Sequence, residues 1–114
     1  MRNETLILPE LMFHAERFCA RVEALALDSV LSSDDHEELR LKISQCRNSL
    51  SRLQEAYNQD QLNLKSPSIR AEFRNLVTTL MWVGFGVRQY LDRRTYRMLV
   101  LIESTFTYLL VLRR

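Results

Sequence analysis

Histidine and cysteine are the side chains in this sequence that most often carry out catalysis or bind a metal together with carboxylates, and they are few. The only histidines are His14 and His36, and the only cysteines are Cys19 and Cys46. The sequence contains no Cys-x-x-Cys, His-Glu-x-x-His, P-loop or Gly-x-Ser-x-Gly pattern. We therefore expect no catalytic residue, no metal site and no cofactor, and the sequence favours a protein that is not an enzyme.

The elements that position these residues are predicted to be helices. Two Gly and two Pro in 114 residues are too few for the turns of a β-sandwich or of a doubly wound α/β fold. Apolar residues recur three and four positions apart, which predicts an all-α four-helix bundle of two antiparallel helical hairpins. The predicted helices cover about 9–31, 33–58, 67–91 and 95–112, within a single domain of residues 1–114.

The first predicted hairpin covers residues 9–58 and has two apolar stripes that match in register. If the chain reverses near residues 32–33, the numbers of facing residues sum to about 65, so that Leu25 meets Leu39 and Cys19 meets Cys46. Packed helix axes lie about 8–10 Å apart, whereas a disulfide needs Cα atoms within about 7 Å. The sequence therefore predicts two buried free thiols, and a redox pair is the alternative.

The histidines do not share a site in this hairpin. His14 and His36 lie more than ten helical rises apart along the bundle, which is too far for one metal ion to reach both. His14 is expected to be exposed on a polar face, and His36 to be a polar group in the first turn of the second helix.

The second predicted hairpin covers residues 67–112 and follows a polar linker at 59–66. Within it, the segment Leu76–Val87 is apolar around the whole helix and has only Thr78 and Thr79 as polar side chains. A helix that is apolar on every side is normally buried on every side. We therefore expect this segment to be covered either by more chain than a simple bundle supplies or by a second molecule.

The only glycines, Gly84 and Gly86, lie in the same segment and cost a helix about 1 kcal/mol each relative to Ala. Either they allow another backbone to approach closely, or the helix kinks or ends at this point.

Charge is distributed unevenly between the two halves. Residues 1–66 carry eight bases and eleven acids, a net charge of −3, whereas residues 67–114 carry eight arginines and three acids, a net charge of +5. Arginine forks fit phosphate and carboxylate groups, so an anionic partner is one interpretation. The other is that the arginine stems cover apolar surface while their charged heads stay in water.

Glu103 is the only acid after Asp92. If the last two helices reverse near residues 93–94, Glu103 lies about one turn from Arg88, which predicts a structural ion pair between Arg88 and Glu103. A carboxylate that faces the solvent is the alternative.

The second hairpin has more apolar and aromatic surface than its core stripes require. Buried centres of protein interfaces are enriched in aromatic residues and Arg, so we expect partner binding there. The predicted partner-binding residues are Trp82, Phe85, Leu101, Tyr108, Arg88, Arg93, Arg94 and Arg97. The sequence favours a small interaction protein (an adaptor, regulator, inhibitor or secretion-type chaperone) that buries helix surface against itself, as a homodimer, or against another protein. The alternative is a nucleic-acid-binding or nucleoprotein-complex subunit that places its Arg-rich second half on phosphates.

The expected location is the cytoplasm. No stretch has the ~20 consecutive apolar residues of a membrane span. The first residues, which include acidic Glu4, do not resemble a secretory signal, and two cysteines do not make a disulfide framework.

Overall fold

The computed structural model describes residues 4–25 and 27–112, and the described chain is a bundle of four helices. Residues 1–3, 26, 113 and 114, which the single-domain prediction includes, lie outside the described residues. The helices are α1 (Glu4–Glu23), α2 (Ser33–Asn58), α3 (Pro67–Gly86) and α4 (Arg93–Leu112), with 3₁₀ turns at Leu27–Ser29 and Arg88–Tyr90. Each helix packs against two neighbours in the ring order α1–α2–α3–α4, and the bundle is 44 Å long. The predicted all-α four-helix bundle is confirmed.

Helix α1 differs from its prediction at both ends. It begins at Glu4, so Pro9 lies inside the helix rather than at its first position, and it ends at Glu23 rather than near residue 31. Leu27 explains the early end, because it is buried with 3% of its surface exposed. A helix that continued to Leu27 would turn this side chain about 120° away from the centre of the buried stripe. The helix ends, and the 3₁₀ turn returns Leu27 to the core.

Helix α2 has the predicted bounds, and both of its ends are capped. At its start, the hydroxyl of Ser32 accepts a hydrogen bond from the backbone N–H of Asp35 at 3.2 Å. At its end, Asp60 adopts a left-handed φ of 58°, and the backbone N–H of Gln61 donates to the carbonyl of Ala56 at 2.8 Å. The left-handed residue and this backward hydrogen bond are typical of helix termination, and here they direct the chain towards α3.

The predicted register of the first hairpin is confirmed. Cys19 and Cys46 are both buried, and the two thiols interact with each other. Next to them, the guanidinium of Arg47 on α2 pairs with Glu16 on α1 (Nη1 to Oε1, 2.7 Å) and also with Glu23. These pairs lie on the solvent side of the interface, where ion pairs contribute at most about 1 kcal/mol. The matched apolar stripes therefore hold α1 on α2.

Helix α3 is antiparallel to α2 and to α4. On the α2 side, Arg52 pairs with Glu72 near the start of α3, and Lys42 Nζ lies 5.2 Å from the centroid of the Trp82 ring near its end. On the α4 side, the buried ring of Phe73 stacks on Phe106 with 5.9 Å between centroids.

Helix α3 ends at Gly86 and not near residue 91, so the predicted alternative of a helix end at the glycines is confirmed. Gly84 allows a close approach, but by a side chain rather than a backbone. A Cβ atom built on Gly84 overlaps Leu99 Cδ2 and lies 3.6 Å from Phe18 Cζ, whereas one built on Gly86 has no neighbour within 4 Å.

The glycine geometry predicts opposite effects for two identical substitutions. Gly84→Ala gains about 1 kcal/mol of helix propensity, but it pushes Leu99 into a packed core, and such overpacking typically costs about 1–3 kcal/mol. We expect a lower free energy of unfolding in urea. Gly86→Ala meets no neighbour, so we expect a gain of up to about 1 kcal/mol.

A third substitution tests the cause. Leu99→Val removes the methyl group that a Cβ at position 84 overlaps, so Gly84→Ala should become neutral or stabilising in that background. If Gly84→Ala is equally destabilising with and without Leu99→Val, the contact with Leu99 is not the reason for the glycine.

Helix α4 begins at Arg93, two residues before its predicted start. Asp92 caps it, because its Oδ1 accepts a hydrogen bond from the backbone N–H of Thr95 at 2.7 Å. The hydrogen bonds from the Thr95 side chain and backbone lower the pKa of Asp92. The cap fixes where α4 starts and therefore which of its residues face outward.

Candidate functional site

The side of α4 that faces away from the bundle carries no charge over three turns. Every exposed residue between positions 98 and 111 is uncharged, and we refer to this set as the α4 outer face: Val100, Leu101, Ser104, Thr107, Tyr108 and Val111. Its positions recur three and four apart, as do those of the buried stripe on the opposite side of α4. Helix α4 therefore has a buried apolar side and an exposed side that is uncharged over residues 98–111.

The apolar side chains of this face are largely open to solvent. Leu101 is 53% exposed, Tyr108 61% and Val111 56%. Exposed apolar residues scattered singly are normal, but a contiguous group marks an interaction surface. Leu41 on α2 provides the contrast, since it is 57% exposed but has the charged residues Glu37 and Glu38 beside it.

The structure separates the predicted aromatic residues of α3. Phe85 is 62% exposed and follows Gly84, which contacts Leu99; because α3 and α4 are antiparallel, Phe85 lies at the level of Met98, beside the start of the α4 outer face. Trp82 is 43% exposed, but it lies on the α2 side of α3, beneath Lys42. The α4 outer face can therefore extend onto α3 through Phe85 but not through Trp82. Because Trp82 and Phe85 are exposed, the bundle does not cover the segment Leu76–Val87 on every side. Its coverage by a second molecule stays a prediction.

All the arginines predicted to bind a partner are exposed. Arg93, Arg94 and Arg97 lie in the first turns of α4, and Arg97 is one turn before Leu101 on the same side of the helix. The guanidinium of Arg88 lies over the ring of Tyr96, 4.8 Å from its centroid. Arg88, Arg93, Arg94 and Arg97 therefore form a group of positive charges at the start of the α4 outer face.

The predicted ion pair between Arg88 and Glu103 does not form among the described residues. Arg88 lies over Tyr96, and Glu103 accepts a hydrogen bond from the hydroxyl of Thr107 at 3.3 Å. The contact of Gly84 with Leu99 shows why, since this register puts Glu103 about two helical turns from the level of Arg88. Moreover, α3 has already ended at Gly86, so Arg88 lies in the following turn. Glu103 is half-buried at the edge of α4 rather than paired.

The histidines do not form a site. His14 is half-buried rather than exposed, because its ring packs edge-on against Phe13 at 5.7 Å between centroids. Its Nδ1 is enclosed and has no hydrogen-bond partner in the described part of the chain. Across residues 4–25 and 27–112, no three His, Cys, Asp or Glu side chains are close enough together to hold a metal ion.

A groove of about 460 Å³ between α1 and α2 is a second surface feature with an apolar lining. Phe13 and Tyr57 lie on its rim, 57% and 49% exposed, and Leu50 is part of its wall. The charged residues of the groove, Glu16 and Arg47, pair with each other. The groove therefore offers no unpaired charge with which to orient a ligand, and we favour the α4 outer face as the functional surface.

The sequence prediction missed part of this face. Leu101 and Tyr108 were expected to bind a partner, whereas Val100 and Val111 were not singled out. The sequence feature that identifies them is a second row of uncharged residues, three and four positions apart and offset from the core stripe of α4. It lies in residues 98–111, where Glu103 is the only charged residue.

Comparisons with known proteins leave this surface to be interpreted on its own chemistry. No family model matches the sequence, and no significant match is found among curated proteins or solved structures. In the described part of the chain, no helix has the length and apolar character needed to cross a membrane.

Proposed function

We propose that this chain is a small docking protein that binds another protein molecule through the α4 outer face. One observation carries the proposal: every exposed residue between positions 98 and 111 is uncharged, although charged residues make up 26% of the chain. A side that stays in water gains solubility from charge, whereas a side that becomes buried must avoid it. Adaptor, regulator, inhibitor and chaperone roles are all of this kind.

The size of the face sets the kind of complex. From Val100 to Val111 the helix rises about 17 Å. One side of a helix of this length has less surface than the roughly 800 Å² per partner that a stable interface buries. Full burial of a large apolar side chain contributes about 1.5–3 kcal/mol, and association itself costs about 4–15 kcal/mol. The α4 outer face is therefore the centre of the interface, and residues beside it, such as Phe85 and the arginines, form its rim.

Nucleic-acid binding is the second candidate, and the exposed arginines of α4 favour it. Phosphate binding weakens steeply as the salt concentration rises, because the counterions that binding releases then enter a more concentrated solution. An apolar interface tolerates salt. Titration of labelled duplex DNA and single-stranded RNA with the protein, at low and at high salt, separates the two. We expect weak binding that disappears at physiological salt; tight binding that persists there would favour the nucleic-acid function.

The docking function is tested by photocrosslinking at single positions. A benzophenone side chain placed at Leu101 or at Tyr108, in cells that naturally make the protein, should give discrete adducts with another protein molecule. The same group at Leu41 is the matched control, because Leu41 is equally exposed on α2 but lies among charges. Equal yields at Leu41 and Leu101, or none at Leu101 and Tyr108, would contradict the proposal.

The mass of the adduct also tests the predicted homodimer. The chain has a mass of 13.5 kDa, so a second copy gives an adduct of twice that mass, and any other partner gives a different one. Homodimerisation stays a prediction until this mass is known.

A further inference from the structure

We propose that the partner of the α4 outer face is an amphipathic α-helix that carries carboxylates beside its apolar stripe. This inference rests on the proposed docking function and specifies the partner's chemistry. Its basis is the arrangement of unpaired arginines around an uncharged face.

Arg47 and Arg52 have carboxylate partners, whereas the arginines beside the α4 outer face have none among the described residues. In the first half, Arg47 is neutralised by Glu16 and Glu23, and Arg52 by Glu72. In the second half, none of the exposed arginines closest to the α4 outer face forms an ion pair within the described part of the chain. These arginines are Arg74, Arg93, Arg94 and Arg97.

Their positions enclose the face. Arg93 and Arg97 occupy the start of α4, and Arg97 is in line with Leu101. Arg74 follows Phe73, whose ring stacks on Phe106, so Arg74 lies beside the second half of the face. A partner that covers the uncharged centre therefore meets positive charge at the start of the face and beside its second half. Opposite charges on the partner's rim set orientation and accelerate association.

A helix is the element that fits this face. The face has the three- and four-residue spacing of a helix-packing surface, it is about three turns long, and its large side chains alternate with Ser104 and Thr107. Small residues between large ones leave holes for the side chains of a second helix, as in knobs-into-holes packing. The expected partner is thus an apolar helical stripe of about three turns with acidic residues at its ends.

A second copy of this chain fits the face less well. Parallel pairing of two α4 outer faces puts Arg93 and Arg97 beside their own equivalents. Antiparallel pairing brings them towards Arg74 of the other copy. Pairing with the acidic face of α2 in another copy buries only one large exposed apolar side chain, Leu41. Parallel and antiparallel pairing of two α4 outer faces therefore bring like charges together, and pairing with α2 buries too little apolar surface.

The test uses the full chain and three synthetic helical peptides with a fluorescent label. All have the same length; one has a leucine stripe with glutamates at its ends, one has the same stripe with lysines, and one has the glutamate composition in scrambled order. Anisotropy titrations should show the glutamate peptide binding at least about tenfold more tightly than the lysine peptide, since each tenfold ratio needs only about 1.4 kcal/mol. The scrambled peptide should bind no better than the lysine peptide.

Variants locate the binding. Leu101→Gln should weaken the glutamate peptide at least about fivefold, a loss of roughly 1 kcal/mol, whereas the matched Leu41→Gln should not change its affinity. Reversing two charges, in Arg93→Glu with Arg97→Glu, should make the lysine peptide the better ligand. Circular dichroism of each variant should match the parent, because all four positions are exposed.

The outcomes separate the two proposals. Equal affinity for the glutamate and lysine peptides, no binding of either, or a preference unaffected by Leu101→Gln overturns the acidic-helix proposal. If photocrosslinks still arise at Leu101 and Tyr108, the docking function stands and the partner has other chemistry; an adduct of two chains then identifies a second copy. Displacement of the glutamate peptide by duplex DNA at physiological salt would assign the arginines to nucleic acid instead.

Discussion

Replacement of Phe73 by Ala is expected to lower the free energy of unfolding by about 3–5 kcal/mol, the usual cost of removing a fully buried phenylalanine. Phe73 has no exposed surface and stacks on Phe106 across the α3–α4 interface. Two effects lower the free energy of unfolding: less apolar surface is removed from water on folding, and the missing ring leaves a cavity that the bundle cannot fill. Since domains of this size are stable by about 5–15 kcal/mol, the variant should lose a large share of its stability. Urea unfolding followed by circular dichroism measures it.

Phe85→Ala is the matched control for Phe73→Ala. It makes the same chemical change in the same helix, but Phe85 is 62% exposed, so we expect a change within about 0.5 kcal/mol. Phe73→Leu, expected to cost less than about 1.5 kcal/mol, keeps the comparison measurable if the alanine variant does not fold. Similar losses for Phe73→Ala and Phe85→Ala would contradict the placement of the α3–α4 interface.

The core was predictable because it depends on local periodicity. The stripes of the first two helices share one spacing and one reversal point, and the pairing of Cys19 with Cys46 follows from their numbers alone. The bounds of α2 were predictable for the same reason, because Ser32 and the acids after it form a strong start. No long-range information is needed for either.

The errors come from residues whose role depends on distant contacts. Leu27 ends α1 because of where the core lies, not because of a glycine or proline nearby. Arg88 was paired with Glu103 under a register that assumed an unbroken third helix, and the end of α3 at Gly86 removes that assumption. His14 was placed in solvent because a projection of the helix puts it on the polar face, but its ring is half-buried and packs against Phe13.

The candidate site was half predictable. Leu101 and Tyr108 stood out as apolar residues beyond the core stripe, and both are exposed. Trp82 stood out in the same way, but its contact with Lys42 from α2 depends on the order of helices around the ring. A sequence reports how much apolar surface exceeds the needs of the core; it does not report which excess residues lie side by side.

The thiols of Cys19 and Cys46 are expected to react with a disulfide reagent roughly a thousandfold more slowly than an exposed thiol, a ratio that corresponds to about 4 kcal/mol of opening free energy. Cys19 is 1% exposed and Cys46 has no exposed surface, so a reagent reaches them only when α1 and α2 separate. The hydrogen bond to Cys46, together with burial, also raises the pKa of Cys19, which lowers its content of the reactive thiolate. The prediction of buried free thiols is confirmed by the structure, and this measurement tests what it implies for reactivity.

An introduced cysteine provides the internal reference for this rate. Ser44 is exposed on α2, so Ser44→Cys should add one fast thiol to the two slow ones, and all three should react at once in denaturant. A diamide-treated sample, alkylated and run without reductant, then tests the redox alternative. Because a disulfide requires closer Cα atoms than packed helix axes normally allow, the folded protein should remain reduced. Rapid reaction of both native thiols would show that α1 leaves α2 easily. A disulfide that forms before unfolding would show that the Cys19–Cys46 pair is a redox switch rather than part of the core.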